Sequence, residues 1–173
     1  ASDTAEQQGT GALAHLDRAI VRGRLQQVYR PIVECSSMRI VGLEALVRHT
    51  DPEQGPLPAE LIVGEAERLG LADQLSLQVL THSLEDMERI AATTSEPLCL
   101  HLNVGVDQLA SETFTASTQD LLAAHPGVEV VVEASGASLR RAGAEVVQDA
   151  GRWVGAAHVG LGIDDMGTDY SEF

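Results

Sequence analysis

Strand-like and helix-like segments alternate over the second half of this sequence, and this alternation limits the folds open to the chain. Three short apolar runs predict strands at about residues 98–104, 128–133 and 158–163, and helical spacing lies between them at 117–124 and 138–154. A helix that links two strands of one sheet carries the chain back to the end of the sheet where the first strand began, so successive strands run parallel. The pattern therefore predicts an α/β fold with a parallel sheet.

The first half of the sequence predicts an antiparallel start to that sheet. Strands are expected at about residues 27–34 and 40–49, and the five residues between them are too few for a parallel crossover. Helical spacing of apolar residues predicts three helices in this half, at about residues 13–20, 58–69 and 72–92. One antiparallel hairpin thus precedes the parallel strands.

The predicted strands end in polar side chains. These residues come from four different strands, and they are Glu44, Asn103, Glu133, Asp164 and Asp165. Parallel strands end at one rim, which is where an α/β barrel places its chemistry. Carboxylates crowded there would repel one another, and hard oxygen ligands of this kind suit magnesium or manganese. The six histidines have no ligand spacing with one another, so they are interpreted as structural or surface residues.

The segment 41–48, VGLEALVR, places an acid and a base on one side of an otherwise apolar strand. Glu44 and Arg48 are four residues apart and therefore point the same way. Such a pair suits a site for a metal and an anionic ligand better than a core. Each residue taken singly has another interpretation: Arg48 as a surface ion pair, Asn103 as a turn residue and Glu133 as a solvated strand end.

Five short motifs follow one another along residues 13–173. They are Tyr29-Arg30-Pro31-Ile32, Glu44-Ala45-Leu46, Leu102-Asn103-Val104, Glu133 at the end of its strand, and the sequence DDMGTDYS from Asp164. In this order they resemble the motifs of EAL domains, the bacterial phosphodiesterases that act on cyclic di-GMP. The resemblance implies a TIM-barrel-like EAL fold with an antiparallel first strand, of which this sequence supplies about five of the eight strands.

The resemblance also implies a reaction and a set of site residues. The reaction is hydrolysis of cyclic di-GMP to pGpG by metal-assisted attack of water, with two magnesium or manganese ions in the complete domain. The implied metal ligands are Glu44, Asn103, Glu133, Asp164 and Asp165, of which Glu44, Asp164 and Asp165 are also the implied catalytic residues. The implied contacts to the substrate are Arg48, Arg30 and Leu46.

Departures from the family pattern keep a second function open. Gly136 stands where the family has a second glutamate, which braces the loop after the fifth barrel strand, and Arg30 replaces a glutamine. That loop is itself altered at Met166, Asp169 and Glu172. A family lysine that positions the attacking water falls beyond this sequence, so we expect no turnover from the chain by itself. The alternatives are a degenerate EAL domain that binds cyclic di-GMP without hydrolysis and a scaffold that binds a protein.

Charge and hydropathy bound the possible partners. The formal net charge of −15 argues against binding of duplex nucleic acid, whereas a small anionic nucleotide remains compatible with local compensation. No apolar run approaches the roughly 18 residues of a membrane span, so we expect a cytoplasmic chain whose parent protein could be membrane-anchored.

Residues 1–12 are expected to be a linker or an expression remnant, which in the parent protein would join the chain to a sensor or GGDEF domain. The open edge of a partial barrel predicts a homodimer.

Overall fold

A computed structural model of the chain describes residues 15–94 and 96–164, which form one mixed β-sheet and the helices packed against it. Its strands are β1 (Gln26–Val33), β2 (Ile40–Asp51), β3 (Gly55–Leu57), β4 (Cys99–Asn103), β5 (Glu129–Ser135) and β6 (Gly160–Asp164). Its helices are α1 (residues 15–21), α2 (Ala59–Arg68), α3 (Ala72–Ala91), α4 (Val106–Leu109), α5 (Glu112–Ala124), α6 (Gly136–Arg141) and α7 (Ala144–Ala157).

The sheet has the topology that the alternation predicts. Its main path runs β1-β2-β4-β5-β6, and β3 pairs with β2 beside that path. The β1–β2 pair is antiparallel, and the pairs β2–β4, β4–β5 and β5–β6 are parallel. The antiparallel hairpin and the five main strands are therefore confirmed. Within the described residues the sheet does not close on itself.

Four features differ from the sequence-based expectation, and the first is the short helix α4 (Val106–Leu109), which was not predicted. The turn expected near residues 51–56 contains β3, whose pairing extends β2 to Asp51. The single helix expected at 138–154 is two helices, because Ala142 and Gly143 have extended backbone angles between them. Helix α5 begins five residues earlier than predicted, where the Ser111 side chain caps its first turn by accepting a hydrogen bond from the Phe114 amide.

The helices cover one face of the sheet and leave the other for polar side chains. Leu84 of α3 is fully buried and packs in a cluster that includes Leu100 of β4 and Val130 of β5. Successive side chains of a strand point to opposite faces, so His101 and Asn103 lie on the side of β4 away from Leu100. We call this opposite side the inner face.

Helix α3 is also tied to the first strand by a polar contact. The Tyr29 hydroxyl donates a hydrogen bond to the Asp86 carboxylate, with an O–O distance of 2.5 Å. Burial, together with this bond, raises the pKa of Tyr29 to about 12. The phenol therefore stays a neutral donor at physiological pH and helps to hold β1 in place.

Candidate active site

Strand alternation brings five polar side chains together on the inner face. They come from β1, β2, β4 and β5, and they are Arg30, Glu44, His101, Asn103 and Glu133. We call this set the inner-face cluster. Four of the five are residues that the sequence predicts for the site, and His101 is the additional one.

Glu44 is the centre of the first half of the cluster. Arg30 lies directly opposite it in the β1–β2 register, and its Nε and Nη2 atoms donate to Glu44 Oε2 at 2.9 and 2.5 Å. The Asn103 Nδ2 atom donates to the other oxygen, Oε1, at 3.1 Å. Glu44 is only 8% exposed, so these donors offset a carboxylate charge that burial would otherwise penalise.

Glu133 is the centre of the second half. It lies beside Asn103 in the β4–β5 register, and its Oε1 atom is 2.7 Å from His101 Nδ1. Gly162 of β6 is its neighbour on the other side. A Cβ atom on Gly162 would lie 3.0 Å from Glu133 Cγ, so the glycine leaves room for this side chain.

The sequence did not predict that His101 belongs to the site, because no two histidines have the spacing of metal ligands. His101 faces Glu44 in the β2–β4 register and contacts Glu133 on the next strand, so it belongs to the cluster. The available signal was its spacing of two residues from Asn103, which places both side chains on the same face of a strand.

The predicted metal ligands are brought together in part. Glu44, Asn103 and Glu133 lie on three neighbouring strands, and their oxygen atoms are donors that suit a hard divalent cation. Asp164 ends β6 beside Ser135 and is exposed, whereas Asp165 lies outside the described residues. Across residues 15–94 and 96–164, no group of three or more His, Cys, Asp or Glu side chains is arranged to hold a metal. The donor chemistry fits a divalent cation, but Arg30 and His101 already pair with the two carboxylates.

The other predicted ligand contacts lie near the rim of the sheet. The Arg48 Nη1 atom donates to the Val47 carbonyl at 2.8 Å, so this guanidinium is folded back onto its own strand. Leu46 is half-buried and lines a cavity of about 590 Å³. Asn103, Glu133 and Arg141 line the same cavity, which therefore borders the inner-face cluster and extends among apolar core residues.

Gly136 opens α6 immediately after β5, close to the end of β6. A Cβ atom at this position would lie 3.7 Å from the Asp164 carbonyl oxygen and 3.3 Å from Arg140 Nη1. A longer side chain here would thus reach the end of β6. The altered loop residues Met166, Asp169 and Glu172 lie outside the described residues.

Comparison with known proteins agrees with the resemblance. The model of the EAL domain family matches residues 13–173. The probable cyclic di-GMP phosphodiesterase PdeN of Escherichia coli is 28% identical over 88% of this chain, which spans 30% of PdeN. The cyclic di-GMP phosphodiesterase NbdA of Pseudomonas aeruginosa is 30% identical over 90% of this chain, which spans 20% of NbdA. The chain thus spans less than a third of these curated relatives.

Solved structures share the fold. The structure titled PaMucR phosphodiesterase, c-di-GMP complex, superposes with a TM-score of 0.78 and 26% sequence identity. The match covers 92% of this chain and 65% of that chain.

Among the described residues, no helix has both the length and the apolar character needed to cross a membrane.

Proposed function

The chain belongs to the EAL domain family, and we propose that its inner-face cluster is part of a site that binds and hydrolyses cyclic di-GMP. The fold is TIM-barrel-like, as in other EAL domains. The observation that carries the proposal is the buried Glu44 carboxylate, which lies at the motif's glutamate and is joined to Asn103 on the neighbouring parallel strand. The relatives named as phosphodiesterases support hydrolysis to pGpG as the reaction of the parent protein.

The proposed metal site uses the oxygen atoms of the cluster. Phosphodiesterases of this family are metal-dependent. The residues that would hold magnesium or manganese are Glu44, Asn103, Glu133, Asp164 and Asp165, and the proposed catalytic residues among them are Glu44, Asp164 and Asp165. A bound divalent ion at such a site supplies activation of water and neutralisation of phosphate charge. The Asn103 side chain has two proposed roles. Its Nδ2 atom donates a hydrogen bond to Glu44, and its Oδ1 atom, which is an electron-pair donor, would bind the metal.

The proposed substrate contacts are Arg48, Arg30 and Leu46. A guanidinium can donate two parallel hydrogen bonds to the oxygens of one phosphate, so Arg48 and Arg30 suit the phosphodiester. Leu46 supplies an apolar surface for a base or ribose, since it lines the cavity that borders the cluster. Net charge of the whole chain opposes an anionic ligand, so these two arginines are needed locally.

A second candidate function is reception of cyclic di-GMP without hydrolysis. It is favoured by the pairing of Glu44 with Arg30 and of Glu133 with His101, because each contact occupies oxygen atoms that a metal would use. The absence of a side chain at Gly136 favours it as well, since nothing from that position braces the end of β6.

Calorimetric titration of cyclic di-GMP into the chain tests the proposed site. We expect binding in magnesium and in calcium, both hard cations with oxygen ligands, and loss of binding when the metal is removed with EDTA. Chromatography of the parent protein with cyclic di-GMP and magnesium then separates the two candidate functions, because no turnover is expected from the chain by itself and pGpG forms in the parent only if the site hydrolyses its ligand. Failure to bind in either metal would contradict both.

The remaining partners are proposals of the same kind. In the parent protein the chain works beside an N-terminal sensor or GGDEF domain.

Strand β6 is the last strand on the described path, and Leu161 and Ile163 on it are 47% and 50% exposed, which favours a homodimer through this edge. We expect static light scattering at micromolar concentration to give twice the 18.3 kDa chain mass, and a monomeric mass would contradict the dimer.

A further inference from the structure

We infer that Arg30 acts as an internal competitor of the divalent metal at Glu44. The starting observation is that both oxygens of this carboxylate already accept hydrogen bonds from the protein. Two come from Arg30 to Oε2, and one comes from Asn103 to Oε1. A carboxylate offers about four acceptor sites, so only about one is left unless a donor moves away.

Arg30 is the donor that conflicts with a metal. The Asn103 amide is neutral, whereas the Arg30 guanidinium carries a fixed positive charge. A cation that approaches Glu44 Oε2 must displace this guanidinium or bind beside it against repulsion between like charges. Metal binding therefore includes the cost of breaking or weakening the Arg30–Glu44 pair.

The geometry allows the displacement that the inference requires. Glu44 is held in the sheet with 10% of its side chain exposed, but the Arg30 side chain is 63% exposed. Arg30 can therefore swing into solvent, or to a phosphate, without opening the core. The inference deepens the proposed function and rests on it only in taking Glu44 as a metal ligand.

The test is a titration with Mn²⁺ alone, followed by the electron paramagnetic resonance signal of the free ion. We expect Arg30→Gln to bind Mn²⁺ at least about 10-fold more tightly than the unchanged chain, within the range by which residues around a metal ligand alter affinity. Glutamine keeps a polar side chain on β1 and removes the competing charge. Equal or weaker affinity, including no detectable binding by either protein, would overturn the inference.

Two further variants locate the effect. Arg39→Gln is the matched control, because Arg39 lies between β1 and β2, has a side chain 59% exposed and pairs with the surface residue Glu96. It should bind Mn²⁺ like the unchanged chain. The double variant Arg30→Gln/Glu44→Gln should lose the gained affinity and retain only the weak background that a net charge of −15 produces. Tight binding by the double variant would place the metal elsewhere and refute the inference.

A charge-retaining variant covers the case in which Arg30→Gln does not fold. Arg30→Lys keeps the positive charge beside Glu44, so its Mn²⁺ affinity should stay within about 3-fold of the unchanged chain. A 10-fold gain in this variant would show that charge is not what limits the metal, and would also refute the inference. No nucleotide is present in these titrations, so their outcome is independent of whether cyclic di-GMP binds.

Discussion

Glu44→Gln is expected to lower the affinity of the chain for cyclic di-GMP in magnesium by about 100-fold or more. Replacing a residue that merely supports a metal ligand costs about 10- to 100-fold in metal affinity, and loss of a ligand's charge should cost at least as much. Glutamine has nearly the same shape as glutamate, and its one carbonyl oxygen can still accept from Arg30, while its NH2 group replaces the oxygen that accepted from Asn103. Because only this one hydrogen bond is lost, the fold should be kept. The measurement is the calorimetric titration, with circular dichroism as the check on folding.

Glu96→Gln is the control for this change. Glu96 is also paired with an arginine, Arg39, but it is half-exposed and lies away from the inner-face cluster. Its substitution should leave the affinity for cyclic di-GMP unchanged, because a surface ion pair contributes little to the fold. If Glu44→Gln retained affinity within about 3-fold while remaining folded, Glu44 would not be part of the nucleotide site.

The largest effect on stability is expected from Leu84→Ala, with a loss of about 2 to 5 kcal/mol in the free energy of unfolding. Leu84 is fully buried where α3 packs on β4 and β5, and its neighbours include Leu100. Truncation removes apolar contact and leaves a cavity, because the surrounding sheet is held by backbone hydrogen bonds and cannot collapse freely. Urea unfolding followed by circular dichroism measures the change.

Leu61→Ala is the matched variant for this measurement. Leu61 is also a helical leucine, on α2, but it is 41% exposed. Its truncation should change stability by only about 0.5 kcal/mol, as is usual for surface positions. A similar loss in both variants would mean that α3 is not packed on the sheet as described.

Local patterns were sufficient for most of the elements and for part of the site. Short apolar runs located all five main strands, because such a run is a property of each segment by itself. The two helices α6 and α7 could not be separated in this way, since Ala142 and Gly143 fit a helical pattern and only their extended angles interrupt it. The three-residue strand β3 was also missed, because it exists only through its pairing with β2.

The sequence by itself determined the order of strands and helices along the chain and the family. It also determined that Glu44, Asn103 and Glu133 lie near one rim of the sheet. These follow from residue spacing and motifs, which require no knowledge of distant contacts. Only the tertiary structure decided that Arg30 pairs with Glu44 and His101 with Glu133, contacts that span 14 and 32 residues. The physical reason is register: which side chains meet across two strands depends on how the strands align, and a shift of one residue would turn each side chain to the opposite face.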